Sequence, residues 1–89
     1  MELDKTTVVD TDLILKEDTK KELISIYKDL DERGYNPSKQ IIAYLISGDP
    51  GYISSYKECR DRLVKYSRED ILEIMLSEFI KKWFIWVLI

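Results

Sequence analysis

The chain has 89 residues, a net charge of −3, 45% hydrophobic and 35% charged residues, one cysteine and no histidine. Its length allows one domain that buries roughly 60–65% of its unfolded surface, so pairing with a second copy is a common route to stability. The acidic balance opposes nucleic acid as a ligand, the lone Cys59 excludes an intramolecular disulfide and a four-ligand zinc site, and the commonest general acid–base group is missing.

Residues 1–17 show no helical period. Thr6-Thr7-Val8-Val9 and Leu13-Ile14-Leu15 are short β-prone runs on either side of Asp10-Thr11-Asp12. They read as a flexible N-terminal tail ahead of a helical domain at 18–89. Met1 to Lys5 carries no basic region followed by an apolar core, so a cytoplasmic location is expected. No stretch reaches the ~20 apolar residues of a transmembrane helix.

Helix one is predicted from about Thr19 to Arg33. Thr19 and Glu22 fit a capping box. Leu23, Ile26, Tyr27 and Leu30 form an apolar stripe, and Gly34 suits a left-handed helix end. Asn36 caps helix two, Pro37 takes its first position, and Gly48 stops it. Ile41, Ile42, Leu45 and Ile46 are its expected inner face, widened by Tyr44. Asp49-Pro50-Gly51 makes a turn, after which Tyr52-Ile53 tucks back as an anchor.

Ser55 with Glu58 predicts a second capping box. It opens a helix three that runs to about Tyr66, with Cys59, Leu63 and Tyr66 inward and a basic side made by Lys57, Arg60, Arg62, Lys65 and Arg68. Ser67 caps helix four, whose stripe is Ile71, Leu72, Met75, Leu76, Phe79 and Ile80. Lys81-Lys82 then precede the apolar run Trp83 to Ile89. The expectation is an all-α fold, a compact bundle of four main helices behind a flexible N-terminal tail.

Asp4-Lys5-Thr6, Gly34-Tyr35-Asn36-Pro37, Gln40-Ile41, Tyr44-Leu45 and Ser47-Gly48-Asp49-Pro50 occur here in an order and spacing that resemble the IreB family of small Gram-positive bacterial proteins. Tyr52-Ile53, Arg60, Arg62, Lys65-Tyr66 and Arg68-Glu69-Asp70-Ile71 continue the likeness over about residues 4–80. The resemblance implies a helical, cytosolic homodimer. It also implies a regulatory, non-enzymatic role as substrate of a membrane Ser/Thr kinase with PASTA repeats, with its phosphatase and a further downstream protein as partners. That regulation restrains resistance to cell-wall antibiotics of the cephalosporin type. Thr6 stands at the matching phosphorylation position, with Thr7 beside it. Val8-Val9 depart from the family's basic and aromatic pair, and the apolar ending from Trp83 departs from its polar terminus.

A phosphate on that tail adds about −1.5 to −2 charge. Arg60, Arg62, Lys65 and Arg68 are the expected receiving groups. Gly48-Asp49-Pro50-Gly51 lacks the spacing and lysine of a phosphate loop. Asp61, Glu69, Asp70 and Glu73 read as a solvated, salt-bridged face rather than a catalytic or metal-binding set. Cys59 reads as a small buried hydrophobe. No cofactor or metal is expected. The last seven residues are expected to be buried in a dimer interface or against the core, ahead of membrane contact. The alternative function is a DNA-binding regulator in which helices two and three form a helix-turn-helix-like element.

Overall fold

The computed structural model describes residues 11–88. Among them are four α-helices and no strand: α1 Thr11–Glu32, α2 Pro37–Ser47, α3 Cys59–Leu63 and α4 Arg68–Leu88. Two single 3₁₀ turns, Pro50–Tyr52 and Tyr56–Glu58, fill the connection from α2 to α3. The all-α expectation holds. The first ten residues, including Thr6 and Thr7, lie outside the described residues.

Helix ends written by local chemistry form as expected. The Asn36 side chain accepts from the Lys39 N–H at 3.1 Å, and Pro37 opens α2. Gly48 closes it at φ 78°, its N–H donating to the Tyr44 carbonyl at 2.7 Å. At the end of α1, Gly34 takes φ 95°. There the Tyr35 N–H reaches the Leu30 carbonyl and the Gly34 N–H reaches the Asp31 carbonyl, both at 3.0 Å. This pair of bonds is a Schellman closure. Ser67 caps α4 by accepting from the Asp70 N–H at 3.0 Å.

Two predicted starts are corrected. Helix α1 begins at Thr11, not near Thr19, and so takes in the β-prone run and residues 11–17 of the expected tail. Thr19 is buried inside it and donates its hydroxyl to the Leu15 carbonyl at 2.7 Å, so it is no cap. It shares the inward stripe with Leu23, Ile26 and Leu30, and a buried hydroxyl takes the nearest carbonyl one turn back. The Ser55–Glu58 capping box is also absent: Ser55 makes no side-chain cap, and the backbone passes through left-handed φ at Lys57 (50°) and Glu58 (58°). Helix α3 therefore starts at Cys59 and is only five residues long.

The core is one cluster. Ile26, Leu30, Ile53, Cys59, Leu63 and Ile71 are almost wholly buried, joined by Ile41, Tyr44 and Leu45, with Leu23 and Tyr66 packed against it. Ile53 is the anchor expected of it, but Tyr52 is exposed. The inner face of α2 is rotated from the expected one: Ile41, Tyr44 and Leu45 point in, while Ile42 and Ile46 are exposed. Among the described side chains of α4 only Ile71 and Ile74 are buried. Leu72, Met75, Leu76, Phe79 and Ile80 face outward, as do Trp83 to Val87, which the sequence reading placed in an interface or the core.

Ile53 is wholly buried on a loop with no helix to hold it. Ile53→Ala is expected to cost about 2–5 kcal/mol, read as a lower urea midpoint. Gly48 has a left-handed φ, and an added Cβ would stand 2.9 Å from the Arg68 guanidinium. Gly48→Ala is expected to cost about 1 kcal/mol or more in the same assay.

Candidate functional site

The basic side of α3 was the expected receiving surface for a tail phosphate. Of the four expected receiving groups, Arg60, Arg62 and Arg68 are engaged within the fold. Arg62 is partly buried and donates to Glu22 at 2.6 Å, to Asp29 at 2.8 Å and to Ser25 at 2.8 Å, all on α1. It also donates to the Lys57 carbonyl at 3.1 Å, inside the left-handed turn. The carboxylates hold the Arg62 guanidinium well above its ordinary pKa, Asp29 first and Glu22 next. In return Arg62 holds the Asp29 carboxyl below its ordinary range, helped by Lys57.

Arg60 donates through Nε to the carbonyls of Pro50 and Ile53, at 3.1 and 2.9 Å, and pins the turn that carries the Ile53 anchor. Arg68 donates to the Leu45 carbonyl at 3.1 Å, in the last turn of α2. A cation there satisfies a free carbonyl and suits the negative end of the helix dipole. Lys65 is exposed and, among the described residues, makes no ion pair. Lys57 pairs with Glu32 and Asp29, and its ammonium pKa is raised, chiefly by Glu32. The Tyr56 ring lies between Arg33 and Lys57, 5.6 and 5.5 Å from its centroid.

The acidic expectations divide. Asp61, Glu69, Asp70 and Glu73 are exposed as expected, but among the described residues none joins an ion pair. The α4 carboxylate that pairs is Glu78, which the sequence reading did not single out. It takes Lys20 from α1 and Lys81 from its own helix. Lys20 draws the Glu78 pKa down, and Glu78 and Glu17 raise that of Lys20. This bridge fixes the start of α1 against α4, where Leu15, Lys16 and Thr19 face Asp70, Glu73 and Ile74 across a cleft of about 110 Å³.

Cys59 is fully buried, its Sγ 3.9 Å from the Ile26 carbonyl, and burial pushes its thiol pKa up. That is the opposite of an activated nucleophile. The five-residue α3 has its arginines turned to α1 and to the loop, so it offers no recognition helix for a DNA groove.

What remains open is contact surface. On α4, Leu72, Leu76, Phe79, Trp83 and Trp86 recur at alternating steps of four and three, the spacing of a helix-pairing seam, and each is about half exposed or more. Phe79 and Trp83 stand 6.3 Å apart and Trp83 and Trp86 6.4 Å, so the aromatics form a continuous strip.

The helical body thus uses its arginines to brace its own backbone and leaves a broad apolar strip outside. The model of the IreB regulatory phosphoprotein matches residues 4–81. The chain belongs to this family. The match takes in Thr6, Thr7 and all four cations of the expected docking set, and stops before Trp83.

Arg62→Ala leaves Glu22 and Asp29 facing each other without their cation. About 2–3 kcal/mol is expected to be lost, below the cost of breaking a fully buried pair because the site is partly wet. The pH dependence has a definite sign. The Asp29 carboxyl binds its proton less readily folded than unfolded, against an ordinary value of 3.8. Its contribution is therefore complete above that value and is lost as pH falls through the lower folded pKa. Acid titration of the urea midpoint is expected to be flatter below about pH 4 in Asp29→Asn than in the wild type.

Proposed function

We propose that this regulatory phosphoprotein acts without catalysis of its own, as a cytoplasmic homodimer that a membrane Ser/Thr kinase with PASTA repeats modifies on Thr6 or Thr7 and a partner phosphatase restores. Its output restrains resistance to cephalosporin-type antibiotics under cell-envelope stress, through a downstream protein that the helical body contacts. The single observation that carries this reading is the family match across residues 4–81, which includes both threonines. Thr7 lies four positions before Thr11, where α1 begins. A kinase needs accessible chain ahead of a folded body, and the sequence supplies residues for it there. The absent histidine and the buried, raised Cys59 thiol support a non-enzymatic role.

For the phosphate itself, Lys65 is the most available receiver, followed by the N–H groups of Arg68 that are not spent on Leu45. Arg60 and Arg62 would have to give up internal bonds first. Phosphate near α4 also meets Glu69, Asp70 and Glu73, so added charge favours a tail position away from that helix. The DNA-binding alternative has no support from the family or the geometry.

For the dimer, the strip from Leu72 to Phe79 lies within the family-matched part of the chain. Contiguous exposed apolar side chains of this kind mark a contact surface.

Mass spectrometry of protein taken from its own cells is expected to place phosphate on Thr6 or Thr7, and Thr6→Ala with Thr7→Ala to abolish labelling by the kinase while leaving the urea midpoint unchanged. Labelling that persists in the double variant overturns the assignment. Analytical ultracentrifugation is expected to find twice the chain mass for wild type and a single chain for Leu76→Glu with Phe79→Glu.

A further inference from the structure

The end of α4 differs from the rest of that helix. Trp83, Phe84, Ile85, Trp86 and Val87 are consecutive, apolar and 47%, 56%, 56%, 68% and 81% exposed. Consecutive helical positions are turned by about 100° each, so five of them point around the whole circumference. A partner helix covers one stripe. A second copy lying along the seam from Leu72 to Trp86 would still leave Phe84 and Ile85, on the other sides of this collar, bare. The segment also lies beyond residue 81, where the family match ends.

Its chemistry names what would cover it. Lys81 and Lys82 stand at its base, the Lys81 side chain 66% exposed and the Lys82 ammonium 6.0 Å over the Trp83 ring. Glu78, which Lys81 meets at 3.5 Å, is shared with Lys20. Apolar residues on every side, two tryptophans and adjoining lysines suit the boundary between headgroups and acyl chains of a bilayer with negative lipids. Among the described residues no helix is long and apolar enough to cross a membrane, so such a contact would be with the surface.

We propose that the end of α4, from Lys81 to Val87, docks the protein onto an anionic phospholipid surface, with Trp83 and Trp86 at headgroup depth and Lys81 and Lys82 on the phosphates. This proposal is independent of the phosphorylation reading and rests on residues that reading does not use.

The chain has only two tryptophans, both in this segment, so their fluorescence reports on it alone. The full chain is mixed with phosphatidylcholine vesicles with and without added phosphatidylglycerol. The expected result is a blue-shifted emission and co-sedimentation with the anionic vesicles, several-fold weaker with the neutral ones and in high salt. Lys81→Gln with Lys82→Gln is expected to weaken co-sedimentation several-fold, and Trp83→Ser with Trp86→Ser to remove it. These side chains lie outside the core, so an unchanged urea midpoint verifies that both variants fold. No binding to either vesicle overturns the proposal, and so does equal binding to both. A lipid-independent blue shift that grows with protein concentration also overturns it, because a second copy would then be the cover.

Discussion

Arg62 is the contact on which the rest of this small fold hangs. Glu22, Ser25 and Asp29 occupy one face of α1 at three- and four-residue steps, and a single guanidinium takes all three. Its further bond to the Lys57 carbonyl draws the chain into a left-handed turn at two residues that are not glycine. Such turns are strained and persist only where surroundings fix them. A five-residue helix is also far below the length that holds alone in water. Helix α3 exists because its arginine is fastened to α1 on one side and Leu63 and Cys59 are buried on the other.

The same economy governs the neighbouring cations. Arg60 braces the turn that positions Ile53, and Arg68 closes the end of α2 beneath Gly48. Read along the chain, these residues with Lys65 make a basic run that invites a phosphate. In space most of their N–H groups meet carbonyls and carboxylates of the same molecule. Sequence shows that a charge is present; it does not show which partner has already claimed it. The candidate site was therefore legible as composition but not as availability.

Legibility of the fold follows a similar division. Asn36, Pro37, Gly48, Gly34 and Ser67 act on backbone groups within a few residues of themselves, so the boundaries they set are readable from spacing. The start of α1 is not local. Leu15 to Glu17 read as part of a β-prone, charged tail, yet they are helical where α4 supplies Ile74 and, through Lys20, Glu78 to lie against. Inward faces are harder still. Ile42 and Ile46 are as apolar as Ile41 and Leu45, and only the position of Ile53 and α1 decides which pair turns in. The matched family fixes the regulatory class, which none of these residues states by itself.

The bundle is less complete than four helices in a short chain would suggest. Beyond Ile74, α4 contributes no buried side chain among those described, yet it continues as helix to Leu88. Fourteen residues past Ile74 are marginal as an isolated helix, and among the described residues what joins them to the body is slight: Met75 beside Leu23, Tyr27 and Ile41, and Lys20 of α1 on Glu78. A segment this apolar and this weakly held gains most of its order from whatever covers it. Two different covers follow from one helix because its surface changes character along its length: one stripe, suited to another helix, runs from Leu72 through Phe79 into Trp83 and Trp86, and from Trp83 onward Phe84 and Ile85 make the remaining sides apolar as well, suited to a medium that closes around it. The change begins just past residue 81, where the family match ends.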